Sequence, residues 1–289
     1  MSSSGSVCAV VYGELPSSAC GELAAAIAGQ TRPPAAVIGD RALTSVYAGS
    51  TDLRRELRPE PGESRFTAAV REGVSAGNEW LWLLDGAAVP EPGALGSLLG
   101  AAAVLSPSAP LLLASKVLGE DGRLHPDSTP RHEVFEKERS VEAAARHLVH
   151  LRIAAHGSVL VRTDAPGRFG PPRPDLPSSL DMREWSARIL RSWDDCGYLV
   201  PASVAVRRAA PAPVTWSDWA ARVRVLGSGA WTPTERLWEG FLLARDAATA
   251  IRPGRGQGRD AVGAPGRHPS ISPLRITGTV RGAKRLKRR

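Results

Sequence analysis

The stretch Trp80–Pro92 (WLWLLDGAAVPEP) constrains the fold most, because it joins a short apolar run to a single acid. The run Trp80–Leu84 has five residues, too few for a buried helix, and Gly86 and Pro90 follow closely. Such a run predicts a strand that is buried on both faces of a sheet. Asp85 would then lie at the carboxyl end of that strand, which is where open α/β sheets bind ligands.

Strand and helix patterns follow one another over roughly the first 200 residues. Strands are predicted at Val7–Tyr12, Ala35–Ile38, Leu111–Val117, Gly157–Arg162 and Tyr198–Val206. Helices are predicted at Cys20–Gly29, Arg65–Ala76, Gly93–Val104, Val141–Leu151 and Ser178–Leu190. The polar segment Arg41–Glu60 is predicted to be irregular.

The chain of 289 residues predicts one large domain with appendages. We place the α/β domain at residues 1–210 and a helical extension with apolar stripes at 211–252. Residues 253–289 are rich in Gly, Pro and Arg and contain few large apolar side chains. That composition predicts a disordered tail.

Location is predicted from what the sequence contains and lacks. No secretory signal pattern and no run of about 18 apolar residues is present. The three cysteines, Cys8, Cys20 and Cys196, show no metal-binding spacing. They predict reduced thiols and a cytoplasmic protein.

Two motifs carry a family resemblance: WLWLLD followed by VPEPGAL, and the strand YLVPASVAV. They resemble family-2 glycosyltransferases of the GT-A fold, of the actinobacterial galactofuranosyl- and rhamnosyltransferase-like kind. The resemblance runs from Val7 to Arg208 and implies a Rossmann-like, mostly parallel sheet flanked by helices. In that family the strand is followed by Asp-Asp-Asp or Asp-x-Asp, which holds a divalent metal on a nucleotide-sugar diphosphate. This chain keeps Asp85 but has Gly86 and Ala87 in place of the other acids.

The resemblance implies a set of donor-binding residues, namely Tyr12, Asp40, Arg71, Asp85 and Arg207. Asp40 alone fits a surface turn acid equally well, and Arg71 fits a solvated helix arginine. Arg207 stands where the family has a metal-binding histidine.

The segment SSLDMREWSARIL matches the family motif that supplies the general base, with one change. Asp181 and Glu184 match its acids, but Met182 replaces the acid that takes the acceptor proton. Asp181 and Glu184 are therefore the candidate catalytic residues.

The changed positions remove groups that ordinary metal-dependent sugar transfer needs. Alanine and glycine offer no side-chain oxygen, and Arg207 repels a divalent cation. We therefore predict no metal site; Mg²⁺ or Mn²⁺ would bind only if other ligands joined Asp85. Activity could survive if Arg207 paired directly with the diphosphate and Asp181 or Glu184 served as base.

Two functions follow as hypotheses. The first is a glycosyltransferase of cell-envelope polysaccharide synthesis, moving a sugar from a UDP- or dTDP-sugar to a glycan or lipid-linked acceptor. The second is an inactive pseudo-glycosyltransferase that acts as a binding or partner subunit.

The basic tail adds to the net charge of +8 and leaves its own partner open. Lys284–Arg289 would gain about 1 kcal/mol per basic residue on an anionic membrane, which suits a peripheral protein at the inner face of the plasma membrane. Phosphate contacts to nucleic acid are a weaker alternative, because no nucleic-acid-binding signature accompanies the run. The third interpretation is a tail that makes the protein more soluble and has no fixed partner.

Overall fold

The structure is a computed structural model. It describes residues 5–15, 17–47, 53–105, 111–122, 149–151, 154, 157–174, 176, 180–192 and 197–208, with the single positions 220, 223, 236 and 240. The predicted domain boundaries at 210 and 252, most of the helical extension and the whole basic tail lie outside these ranges and stay predictions. Over the described ranges, no helix has the length and apolar character needed to cross a membrane.

Nine strands and six helices make up the described chain. The strands are β1 (Val7–Val11), β2 (Ala36–Gly39), β3 (Leu53–Glu56), β4 (Trp80–Leu84), β5 (Ala88–Pro90), β6 (Leu112–Gly119), β7 (Val149–His150), β8 (Ser158–Arg162) and β9 (Gly197–Arg207). The helices are α1 (Ser17–Ala28), α2 (Arg41–Val46), α3 (Arg65–Ser75), α4 (Ala94–Val104), α5 (Ala165–Phe169) and α6 (Asp181–Ser192).

The strands form one mixed sheet in the order β3-β2-β1-β4-β8-β6-β9-β5, with β7 paired to β9. It is parallel from β3 through β4, and β8 then runs antiparallel to both β4 and β6. The predicted central strand is confirmed, because β4 lies mid-sheet between β1 and β8 and every residue in it is buried.

Side chains of β4 alternate between two hydrophobic cores, one on each face of the sheet. Leu81 and Leu83 pack with the core that contains Phe66 of α3 and Trp185 of α6. Trp82 points to the other core, which α1 and α4 cover. Helices cover both faces of the sheet, so side chains on either face of β4 are buried. This is why every residue of β4 is apolar.

Two sequence predictions are wrong in the described ranges. The segment Arg41–Glu60 is not irregular, since it contains α2 and β3. At one end of the sheet order, β3 is only partly buried, and α2 buries Leu43 alone, so neither shows a strong apolar pattern. The helix predicted over Val141–Leu151 fails at Val149–His150, which pairs as a strand with β9.

An irregularity in β9 helps to shape the candidate site. Ser115 of β6 pairs with Val200, but the next residue of β6, Lys116, pairs with Val204, so β9 contains extra residues there. Within the irregular stretch, Ser203 Oγ donates to the carbonyl oxygen of Ala94 at 2.9 Å and lies 2.6 Å from Ser115 Oγ. These buried contacts fix the last part of β9 against α4 and β6.

Candidate functional site

Several chain segments place polar groups at the carboxyl edge of the central strands. Tyr12 follows β1, and its N–H donates to the Leu84 carbonyl at 3.0 Å. Asp85 follows β4, and its N–H donates to the Gly157 carbonyl at 2.8 Å. The last residue of β9, Arg207, pairs with Ala88 of β5 beside the turn that follows Asp85. The predicted residues Tyr12, Asp85 and Arg207 therefore share one edge of the sheet.

Asp85 and Arg207 form an ion pair. Arg207 Nη2 lies 3.3 Å from Asp85 Oδ2, and only 15% and 12% of the two side chains are exposed. The Ala87 backbone N–H donates to Asp85 Oδ1 at 3.2 Å. Arg207 Nε and Nη1 are buried and have no hydrogen-bond partner among the described residues. One arm of the guanidinium thus neutralises Asp85, and two further donor nitrogens are unused.

Close backbone packing accounts for the glycine at position 86. A Cβ atom on Gly86 would lie 3.0 Å from the carbonyl oxygens of both Gly13 and Glu14. A Cβ atom on Gly13 would in turn overlap Asp85 Oδ1 and the Gly86 nitrogen. A side chain at position 86 would therefore require the loop after β1 to shift by a few tenths of an ångström.

The residues around Asp85 do not suit a divalent metal. Mg²⁺ and Mn²⁺ prefer several oxygen ligands, and within the segments that the structure describes no group of three His, Cys, Asp or Glu side chains could hold one. Asp85 already faces a permanent cation, Arg207. A metal at Asp85 would have to displace that guanidinium and would be repelled by its charge.

Asp40 belongs to the same edge through a residue that the sequence interpretation missed. Arg65, the first residue of α3, pairs through Nη2 with Asp40 and donates from Nε to the Tyr12 carbonyl at 2.9 Å. A positive side chain in the first turn of a helix is unfavourable next to the helix dipole. This unusual position is the sequence signal that could have identified Arg65. The ends of β1 and β2 are thereby joined to the start of α3.

Asp181 is buried at the start of α6 rather than open to solvent. Its Oδ2 accepts from Ser64 Oγ at 3.0 Å, and its Oδ1 accepts from the Met182 N–H at 2.6 Å. Burial raises the pKa of Asp181 well above its usual range, the nearby Asp85 charge raises it further, and the two hydrogen bonds oppose the rise. Met182, at the expected base position, is itself buried in the core with Trp185.

The Tyr12 side chain is buried and lies within electrostatic range of both acids. Its ring packs edge-on against Phe66 at 5.1 Å between centroids, and the Gly157 N–H hydrogen-bonds its hydroxyl. The pKa of Tyr12 is raised, first by burial and then by the charges of Asp85 and Asp181. Burial therefore favours the neutral hydroxyl of Tyr12, near the Asp85 carboxylate and the Asp181 carboxyl group.

The other two predicted site residues make contacts of a different kind. Glu184 pairs with Arg188 at 3.0 Å, and Arg188 also donates to the Phe169 carbonyl at 2.7 Å. Arg71 lies on the outer side of α3, 2.9 Å from Glu63 and 2.7 Å from Glu72. In the described contacts neither residue joins the cluster of Tyr12, Asp85 and Arg207, so their site roles stay predictions.

The free energy of unfolding of the unchanged chain should fall as the pH rises, because burial raises the pKa of Asp181 in the folded state. Replacing Asp181 with asparagine is expected to remove this fall. The folded chain keeps Asp181 protonated where the unfolded chain has released the proton. The stability from the neutral form is complete below the unfolded pKa of about 4, and it is lost as pH rises towards the raised folded pKa. Asparagine stays neutral and keeps an acceptor for the Met182 N–H.

Urea unfolding of both proteins at pH 5 and pH 8 measures this effect. We expect the stability of Asp181→Asn relative to the unchanged chain to be greater at pH 8 than at pH 5. The control Glu91→Gln removes an exposed carboxylate and should leave the pH profile as it is. Parallel profiles for Asp181→Asn and the unchanged chain would show that this carboxyl is not held protonated.

Comparison with known proteins gives structural relatives only. No protein-family model and no curated protein matches the chain. S. aureus TarS 1-349 is similar with a TM-score of 0.58 and 13% identity, over 86% of this chain and 76% of that one. The same protein in complex with UDP is similar with a TM-score of 0.53 and 15% identity, over 83% of this chain and 70% of that one. GalNAc-T7 with UDP, GalNAc and Mn²⁺ is similar with a TM-score of 0.57 and 14% identity, over 86% of this chain and 52% of that one.

These relatives are GT-A glycosyltransferases, and the similarity extends over most of this chain. Some are much longer, since the chain spans 44% of a longer S. aureus TarS structure. At such low identity the similarity concerns the fold. The sheet order, the helices on both faces and these neighbours together show that the chain has the GT-A glycosyltransferase fold.

Proposed function

We propose that this protein binds a nucleotide-sugar at the carboxyl edge of β1, β2 and β4 and acts as a non-catalytic, glycosyltransferase-like subunit in cell-envelope polysaccharide synthesis. The observation that carries the proposal is the Asp85–Arg207 ion pair. It places two charged side chains at the carboxyl edge of the sheet, among described residues that do not suit a metal.

The fold supports a nucleotide as the ligand. One TarS structure contains UDP, and the GalNAc-T7 structure contains UDP, GalNAc and Mn²⁺. Open α/β sheets bind such ligands beyond the carboxyl ends of their strands, where this chain has Tyr12, Asp40 and Asp85. The transfer of this ligand class to the present chain is an analogy of fold, and UDP- and dTDP-sugars are the donors we expect.

The geometry around the acids supports binding over catalysis. A general base must reach the proton that it takes, and Asp181 is wholly buried and bonded to Ser64 and Met182. Glu184 is held by Arg188. The diphosphate that leaves during sugar transfer needs a cation to stabilise its charge, and the residues around Asp85 do not suit a metal.

Sugar transfer is the second candidate, favoured by one observation. Asp181 and Asp85 are close enough to interact electrostatically with each other and with Tyr12. In this alternative Asp181 takes the proton of a glycan or lipid-linked acceptor after α6 opens locally. A peripheral position at the inner membrane face, through Lys284–Arg289, suits either candidate.

Calorimetry with UDP, dTDP and their sugar conjugates tests the proposal. We expect binding by the unchanged chain and binding weakened about tenfold in Asp40→Asn, because that change removes the carboxylate that holds Arg65 at the end of β1. Asp164→Asn is the matched control, since Asp164 pairs with Arg162 and Arg168 instead. Absence of binding to every nucleotide would refute the proposal.

Donor hydrolysis and transfer, measured with the same ligands, separate the two candidates. The proposal predicts bound donor that remains intact over hours, in both the unchanged chain and Asp181→Asn. Turnover that the asparagine variant abolishes would establish the transferase instead.

A further inference from the structure

We propose that the guanidinium of Arg207 is a built-in cationic site for a diphosphate, so that the chain binds a nucleoside diphosphate without a divalent metal. This inference rests on the proposed function, because it names how the same site holds its ligand. It goes further in assigning the charge that balances the phosphates to a side chain of this protein.

The first observation is that Arg207 is anchored in one orientation. Its backbone pairs with Ala88 at the end of the sheet, and its Nη2 is held 3.3 Å from Asp85. Asp85 is itself fixed through its N–H to Gly157 and through the Ala87 N–H. A planar guanidinium held in this way presents its remaining N–H groups in fixed directions, which suits phosphate oxygens.

The second observation is that those remaining groups are unused. Nε and Nη1 of Arg207 are buried without a hydrogen-bond partner in the described part of the chain. Buried donors in native proteins nearly always have a partner, and exceptions call for a bound ion, water or ligand. Charged donors select anionic oxygen acceptors, and a diphosphate offers several. Since both nitrogens are covered, the ligand must displace the atoms over them as it enters.

The third observation is that the ion pair removes an electrostatic obstacle. Asp85 alone would repel a diphosphate at this edge of the sheet. With Arg207 beside it, the pair has no net charge, and the unpaired N–H groups belong to its positive member. A phosphate therefore meets donors without an uncompensated carboxylate.

The position of Arg207 also fits a ligand with a nucleoside at one end. Gly13 approaches Asp85 so closely that a Cβ atom there would overlap its carboxylate. The neighbouring Tyr12 carbonyl is bonded to Arg65, which pairs with Asp40. The edge therefore runs from the ends of β1 and β2 to the ends of β4 and β9, and a nucleoside diphosphate would place its phosphates at Arg207.

The test is calorimetry of UDP, uridine and pyrophosphate, each in EDTA and in Mn²⁺. The variant is Asp85→Asn/Arg207→Gln, which removes both charges together and leaves no unpaired charge to unfold the chain. The matched control is Arg208→Gln, the same loss of charge at the next residue, which is exposed and pairs with Glu22 and Glu120. Circular dichroism verifies that each variant is folded.

We expect UDP to bind with the same Kd, within about twofold, in EDTA and in Mn²⁺. The double variant should bind UDP and pyrophosphate at least about tenfold more weakly, because it loses charge-assisted hydrogen bonds. Its affinity for uridine should be unchanged, and Arg208→Gln should behave as the unchanged chain does.

Other outcomes separate this inference from the proposed function. UDP binding that strengthens about tenfold with Mn²⁺, or that equals uridine binding, would overturn the role of Arg207 and leave nucleotide binding in place. Unaltered UDP binding by the double variant would do the same. Pyrophosphate binding without binding of UDP or uridine would support the Arg207 site and refute the nucleotide function. Binding of none of the three would refute both.

Discussion

Arg207→Ala should lower the free energy of unfolding by about 3 kcal/mol, which corresponds to a fall in Tm of about 6–12 °C. The change leaves Asp85 as a mostly buried carboxylate without its counter-ion. An unpaired buried charge costs about 3–5 kcal/mol, and we expect the lower end because 12% of the Asp85 side chain is exposed. Urea unfolding monitored by tryptophan fluorescence measures the difference.

The double variant Asp85→Asn/Arg207→Ala tests the physical reason for that loss. Removing the carboxylate as well should restore most of the lost stability, since the cost comes from the charge that remains. Arg208→Ala, which breaks only exposed pairs, should change stability by less than about 0.5 kcal/mol. A double variant that is less stable than Arg207→Ala would show that the pair does not act through its charges.

Gly13→Ala should destabilise the chain by about 1–3 kcal/mol and weaken nucleotide binding at the same time. The added methyl group would overlap Asp85 Oδ1 and the Gly86 nitrogen. Because the second of these is a backbone atom, a side-chain rotation cannot relieve the overlap, and the turn after β4 must move. The same movement shifts Asp85 relative to Arg207. Thermal unfolding with and without UDP measures both effects.

Gly21→Ala is the matched control, with an effect expected in the opposite direction. Gly21 lies on the exposed side of α1, and nothing lies within 4 Å of a Cβ atom placed there. Alanine in a helix is favoured over glycine by about 0.5–1 kcal/mol. Gly21→Ala should therefore stabilise the chain slightly and leave UDP binding unchanged. If both variants behaved alike, the close approach of Gly13 to Asp85 would be refuted.

Most of the fold could be predicted from the sequence because its strongest elements are buried. The run of five apolar residues in β4, a strand covered on both faces, marks the middle of the sheet with no polar interruption. The missed elements α2 and β3 lie towards one end of the sheet, where solvent tolerates residues such as Arg54 and Arg55. Weak burial removes the periodic signal on which such predictions depend.

Four of the predicted residues could be brought to one edge of the sheet from the sequence, but their contacts could not be predicted. The positions of Tyr12, Asp40, Asp85 and Arg207 follow from strand ends that share one edge of the sheet. The pairing of Asp85 with Arg207 depends on the irregular register between β6 and β9. No local sequence pattern predicts that register. Arg65 was missed because its partners, Asp40 and the Tyr12 carbonyl, are distant in sequence.

The ion pair and the packing of Gly86 are consistent with the absence of acids at positions 86 and 87. Gly86 lies against the Gly13 and Glu14 carbonyl oxygens, so a side chain there would require the loop after β1 to shift by a few tenths of an ångström. The guanidinium of Arg207 compensates the Asp85 charge with a side chain of the protein, which chelation cannot remove. In the proposed function these two features act together, because close packing disfavours a side chain at position 86 and Arg207 places a cation beside Asp85.

A crystal of the chain with UDP and Mn²⁺, analysed by anomalous scattering at the manganese edge, tests this claim most directly. We predict diphosphate oxygens within hydrogen-bonding distance of Arg207 Nε and Nη1, with Asp85 still paired to Nη2 and no manganese peak beside it. A manganese ion bound to Asp85, with the Arg207 guanidinium turned away from the phosphates, would contradict the account.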